Sequence, residues 1–120
     1  MGADTAAKFE VSTPAWGSLA CVAESLAYIQ SIGVDAIVRH RKPLIEHLRK
    51  ALPERGFTPL TPAGSSGPIL VFSYKGAAAR FGKALRDANI HVSIYENRIR
   101  ISPSVYNDME DVEKLIGALS

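Results

Sequence analysis

Apolar residues recur along this chain at two spacings, and the spacing changes where the structure should change. Leu19, Val22, Leu26 and Ile29 follow one another at three- and four-residue steps, one stripe of a helix. Ser12-Thr13-Pro14 stands before it as a helix entry, a hydroxyl to cap and a proline at the first helical position. Gly33 is a natural stop. A second helix is predicted from about Val34 to Leu52, with Val34, Ile37, Val38, Ile45, Leu48 and Leu52 facing inward. Pro43 falls inside it and is expected to kink it or to divide it into two short helices, because proline removes one backbone donor.

Beyond this the pattern changes. Thr58 to Pro68 holds three prolines and two glycines and reads as a loop with a short edge strand at Thr58–Leu60. Ile69-Leu70-Val71-Phe72 is an unbroken apolar run of strand length, expected to lie centrally in a sheet. Gly76 opens a helix with Ala77, Phe81, Leu85 and Ala88 on one face. Two strands follow, about Ile90–Tyr95 and Arg98–Ser102. A turn at Glu96-Asn97 pairs Tyr95 with Arg98, Ile94 with Ile99, Ser93 with Arg100 and Val92 with Ile101. Paired residues share a face, so this register sends the four aliphatic residues one way and Ser93, Tyr95, Arg98 and Arg100 the other. Asn107, with Glu110 three positions on, is expected to cap a last helix whose stripe is Met109, Val112, Leu115, Ile116 and Leu119. The order predicts a two-layer α+β domain: a small, mainly antiparallel sheet with helices packed on one face, preceded by a long N-terminal helix. Residues 1–7 read as a disordered start or expression remnant, and 8–120 as a single domain.

Composition narrows the function classes. A chain of 120 residues that is 47% hydrophobic can bury one core. A formal charge of +2 gives no electrostatic footprint for nucleic acid or membrane partners, and the cluster Arg39-His40-Arg41-Lys42 reads as the wet side of a helix. No apolar run reaches the roughly 20 residues of a membrane span, and no secretory leader is visible. The single cysteine, Cys21, excludes an internal disulfide framework and fits a reducing compartment, with a small buried or boundary role on the first helix; a cytoplasmic location is the default expectation.

Candidate chemistry gathers on the open sheet face. Exposed strands often carry solvated arginines, so Arg98 and Arg100 have a plain reading as surface charge. Their functional reading is anion recognition, since a guanidinium offers a rigid fork that matches a carboxylate. Other constellations fail. His40 and His47 are two turns apart on one helix and cannot grip one metal as an i, i+4 pair would, and His91 stands alone. Gly76 to Lys83 departs from a phosphate loop in its second glycine and in Ala84.

Three motifs, in order, shift the weight between the readings of the arginines: Phe9-Glu10-Val11-Ser12-Thr13-Pro14, a long helix closed by Ile32-Gly33-Val34, and Arg100-Ile101-Ser102-Pro103-Ser104-Val105-Tyr106-Asn107. Together they resemble the C-terminal small domain of class V aminotransferases, which use pyridoxal phosphate, over about Lys8 to Ser120. The resemblance implies that Arg100 binds the substrate α-carboxylate, with Arg98 secondary, and that Thr13 reaches the cofactor phosphate of a partner subunit in a homodimer. Ser12 stands where the family has glycine. The resemblance also implies a preceding large domain that supplies the Schiff-base lysine and the acid partner of the cofactor. None of Lys8, Lys42, Lys50, Lys75, Lys83 and Lys114 matches the family's lysine motif, so the chain is expected to bind no cofactor and to be inactive alone. Cysteine desulfurases, which are related, carry a nucleophilic cysteine just before the carboxylate arginine. Here only Tyr95-Glu96-Asn97-Arg98 fill that space, which disfavours that chemistry. The competing expectation is a free-standing module that binds a small anion or a protein partner.

Overall fold

The computed structural model of the chain describes residues 15–120. They fall into two compact units, residues 15–34 and Asp35–Ser120.

In the first unit, helix α1 runs Trp16–Ile32. Its entry residue Ala15 makes no side-chain cap, and the expected Ser12–Pro14 signal lies outside the described residues. Gly33 ends it at φ +86°, a conformation that favours a residue without a β-carbon, and its N–H donates to the Ile29 carbonyl at 2.9 Å. The predicted stripe exists as a helix face, but Leu19, Val22, Leu26 and Ile29 are all exposed. Cys21 is exposed too, not a buried or boundary residue, because no side chain of α1 is buried.

Helix α2 spans Val34–Ala51 and is continuous through Pro43. The division into two short helices expected as one outcome does not occur. Proline withholds a donor from the carbonyl of Arg39, and Arg39 is exposed, where water can take its place. Burial begins only at Leu44 and continues through Ile45, Leu48, Ala51 and Leu52. Val34 and Val38, expected to face inward, are exposed, since the first turns of α2 lie outside the packed core.

The sheet is four-stranded and wholly antiparallel, in the order β1-β2-β4-β3, with β1 Thr58–Pro59, β2 Leu70–Ser73, β3 Ser93–Tyr95 and β4 Arg98–Ile101. β3 and β4 form the hairpin in the predicted register, Ser93 opposite Arg100, Ile94 opposite Ile99 and Tyr95 opposite Arg98. β2 lies inside the sheet and pairs Leu70 with Ile101 and Phe72 with Ile99. It begins one residue later than predicted: Ile69 is exposed, and the alternation puts Leu70 and Phe72 into the core.

Helix α3, Ala77–Asp87, starts behind Gly76 at φ +71° and buries Ala77, Phe81, Gly82 and Leu85. Phe57, Phe72, Tyr74 and Phe81 form an aromatic cluster in this region, with Phe57 stacked on Phe81 at 5.4 Å between ring centres. Helix α4, Met109–Ala118, buries Val112, Leu115 and Ile116, with Leu119 buried just beyond it. Its cap is Asp108, one residue after the expected Asn107. Asp108 accepts from the Asp111 N–H at 3.0 Å, and Asp111 accepts in return from the Asp108 N–H. Asn107 is spent on the preceding turn, where its Oδ1 accepts from the Ser104 N–H at 3.1 Å. Met109, expected in the buried stripe, is exposed. Among the described residues no single helix is long and apolar enough to cross a membrane.

Candidate functional site

β4 alternates strictly. Ile99 and Ile101 are buried, and Arg98 and Arg100 are exposed on the other face. A pleated strand sends successive side chains to opposite sides, so burying the isoleucines fixes both guanidiniums on the open side. Their cross-strand neighbours on that face are polar or half-exposed: Ser93 and Val71 beside Arg100, Tyr95 and Ser73 beside Arg98.

Each arginine has a definite support. Arg100 Nη2 donates to the Ser93 hydroxyl at 3.0 Å. This holds one edge of the fork toward β3 and leaves the remaining N–H donors for a guest. Arg98 lies over the Tyr95 ring, 4.5 Å from its centre, in cation–π geometry. Among the described residues neither has a carboxylate within ion-pair distance; the ion pairs are Lys42–Glu46, His47–Glu113 and Lys83–Asp87. Among the described residues their charge therefore has no acidic counterpart.

The hairpin that carries them is fastened at its tip. The Asn97 carbonyl accepts from the Tyr74 N–H at 3.0 Å, and Asn97 Oδ1 accepts from the Gly76 N–H at 2.9 Å. Asn97 thus ties the β3–β4 turn to the turn between β2 and α3. Sequence reasoning gave this residue only a turn role, since its second partner is 21 positions away.

The other candidate residues are placed as follows. Thr13 lies outside the described residues. His40 Nε2 is 2.8 Å from the Asn107 carbonyl oxygen, and His47 Nε2 is 2.7 Å from Glu113 Oε1, so both histidines tie α2 to α4 and its entry turn. Among the described residues no group of His, Cys, Asp and Glu could hold a metal ion. The described lysines, Lys42, Lys50, Lys75, Lys83 and Lys114, are all exposed, and none lines the recess into which Arg100 reaches. These residues do not fit the covalent anchorage of a carbonyl cofactor, which calls for a shielded amine beside the carboxylate site. What β4 presents is two exposed guanidiniums on a paired strand.

Comparison with known proteins places the chain in a family and a fold. The sequence model of the family described as aminotransferase class-V matches residues 2–115. Over 118 residues the chain is 26% identical to an uncharacterized aminotransferase, YcbU, of Bacillus subtilis (strain 168), covering 98% of this chain and 32% of that protein. In structure it is similar to the apo form of a cysteine desulfurase from Thermococcus onnurineus NA1, with a TM-score of 0.77 at 23% identity, over 98% of this chain and 33% of that one. The chain spans about a third of the length of the proteins it matches.

Proposed function

The chain belongs to the class V aminotransferase family, and on that premise we propose that it is the C-terminal domain of a pyridoxal-phosphate-dependent, aminotransferase-like enzyme. In this reading Arg100 binds the α-carboxylate of an amino-acid substrate. The observation that carries it is the pair of guanidiniums on the open face of β4, one of them oriented by Ser93 and neither with an acidic partner among the described residues. Pyridoxal phosphate, when bound to the rest of the enzyme, supplies the electron sink for the reaction. This chain's part is to hold the substrate by its carboxylate. Two N–H groups of one fork can meet two carboxylate oxygens, which fixes the substrate in rotation as well as position. Arg98, held over Tyr95, adds positive potential to the same face. Thr13, two residues before the described chain, is assigned a contact with the cofactor phosphate across a dimer, on the strength of the Thr-Pro motif alone.

The larger, cofactor-holding domain belongs to the same protein in this reading, which is supported by the one-third coverage of the relatives. Reactions of the transaminase, epimerase and lyase types all require such a carboxylate clamp, so the clamp is common to them.

Arg100→Lys in the full-length enzyme tests the assignment. A lysine keeps the charge and loses the fork. One charge-assisted contact contributes about 1.5–3 kcal/mol, so the KM for the amino acid should rise by about 10- to 100-fold. The thermal midpoint should stay put, because Arg100 is exposed and outside the core. Steady-state kinetics that match the parent enzyme would remove Arg100 from the site.

A further inference from the structure

β3 is an edge strand, and a recess of about 440 Å³ opens along it. Two arginines line this recess from different elements. Arg100 comes across from β4 and rests on Ser93. Arg86 comes from the last turn of α3 and folds back along its own helix. Its Nη1 lies 3.4 Å from where a β-carbon on Gly82 would stand, so the guanidinium rests beside that glycine. Leu85, Val92 and Ile94 make much of the remaining wall, and Ser102 and His91 add polar groups. No carboxylate lines the recess, and neither arginine has an acidic partner among the described residues. Asn89, at φ +54°, turns the chain out of α3, and the Ile90 N–H donates back to the Leu85 carbonyl at 2.8 Å, which fixes the α3 end of the recess against the start of β3.

Two like charges facing one cavity repel each other, and a guest with a single negative group relieves only one of them. A phosphate dianion carries enough charge but has no use for the aliphatic wall. A chain of methylenes with a carboxylate at each end satisfies both guanidiniums and the wall together. We propose that this recess binds a short aliphatic dicarboxylate, one end on Arg100 and the other on Arg86. The inference rests on Arg100 as the α-carboxylate ligand. It adds that the enzyme's substrate is an acidic amino acid whose side-chain carboxylate is read by Arg86.

The test is a nuclear magnetic resonance titration of the full chain with succinate, acetate and inorganic phosphate at constant ionic strength, following the arginine Nε–Hε signals. Succinate should move the signals of both Arg86 and Arg100 and bind about tenfold more tightly than acetate, the worth of one added charge-assisted contact. Arg86→Gln should abolish that preference and leave acetate binding in place. Arg100→Gln should weaken acetate and succinate alike. Both side chains are exposed, so unchanged dispersion of the amide spectrum will show that the variants are folded. Succinate no tighter than acetate, or a preference that survives Arg86→Gln, overturns the proposal while leaving Arg100 as a carboxylate ligand. Phosphate that equals succinate in affinity and in dependence on Arg86 overturns the dicarboxylate assignment. Acetate binding untouched by Arg100→Gln overturns the reading of Arg100 itself, and the proposal with it.

Discussion

Replacing Ile99 by Ala should lower the stability of this chain by about 2–5 kcal/mol, since the side chain is fully buried and its removal leaves a cavity. Replacing its neighbour Arg100 by Gln should change stability by no more than about 0.5 kcal/mol, since that side chain sits on the open face with one hydrogen bond to Ser93. Urea denaturation of the two variants checks both expectations. Equal losses would mean that the guanidinium is part of the packing, and the division of β4 into a structural side and a binding side would fail. The same alternation explains why Arg98 is available: burying Ile99 leaves it no other side, and the Tyr95 ring beneath it provides a surface on which a cation is favoured without being neutralised.

Among the elements, α4 depends most visibly on a local device. Asp108 and Asp111 satisfy each other's backbone N–H groups at its first turn, and Asn107 donates from its side-chain amide to Asp111 at 3.1 Å. Asp108→Ala should cost about 1 kcal/mol of stability, a typical value for a lost N-cap. Glu110→Ala, at an exposed first-turn position with no bond to the cap, should stay within about 0.5 kcal/mol. Thermal unfolding of the pair checks this, and a larger loss at Glu110 would return the cap to Asn107. Sequence reasoning chose Asn107 because Glu110 stands three positions on, and Asp108 with Asp111 has the same spacing. The turn from Ser104 decided between them by engaging the side chain of Asn107.

At the scale of the whole molecule, α1 stands apart in character. Its 17 residues contain one charged side chain, Glu24, and its large apolar residues are exposed, Trp16 to 71% and Leu26 to 53%. A helix apolar on most sides is usually one that something covers. In the intact enzyme the larger domain is the proposed cover. The 120-residue chain by itself should therefore self-associate through α1, and Leu19→Glu with Leu26→Glu should restore a monomer. Light scattering that finds the unsubstituted chain monomeric at high concentration would reject this.

Much of the fold was legible in the chain. The hairpin register followed from one requirement, that two rows of opposite chemistry face opposite ways, and pairing at Ser93–Arg100 and Tyr95–Arg98 obeys it. The helices followed from their apolar spacing and from glycines at Gly33 and Gly76 that can adopt positive φ. These are local matters, settled within a turn or a strand pair. What stayed hidden depends on distant neighbours. Val38 has the spacing of a core residue and is exposed because the core begins at Leu44. Asn97 fastens the hairpin tip to Gly76, and Arg86 shares a recess with Arg100, because β2 and α3 happen to pack where they do. By itself the sequence determined the elements and the face on which the arginines stand, through period and backbone preference. Only the tertiary structure decided what lies beside them, because burial and proximity belong to the packed chain and no short stretch of residues carries them.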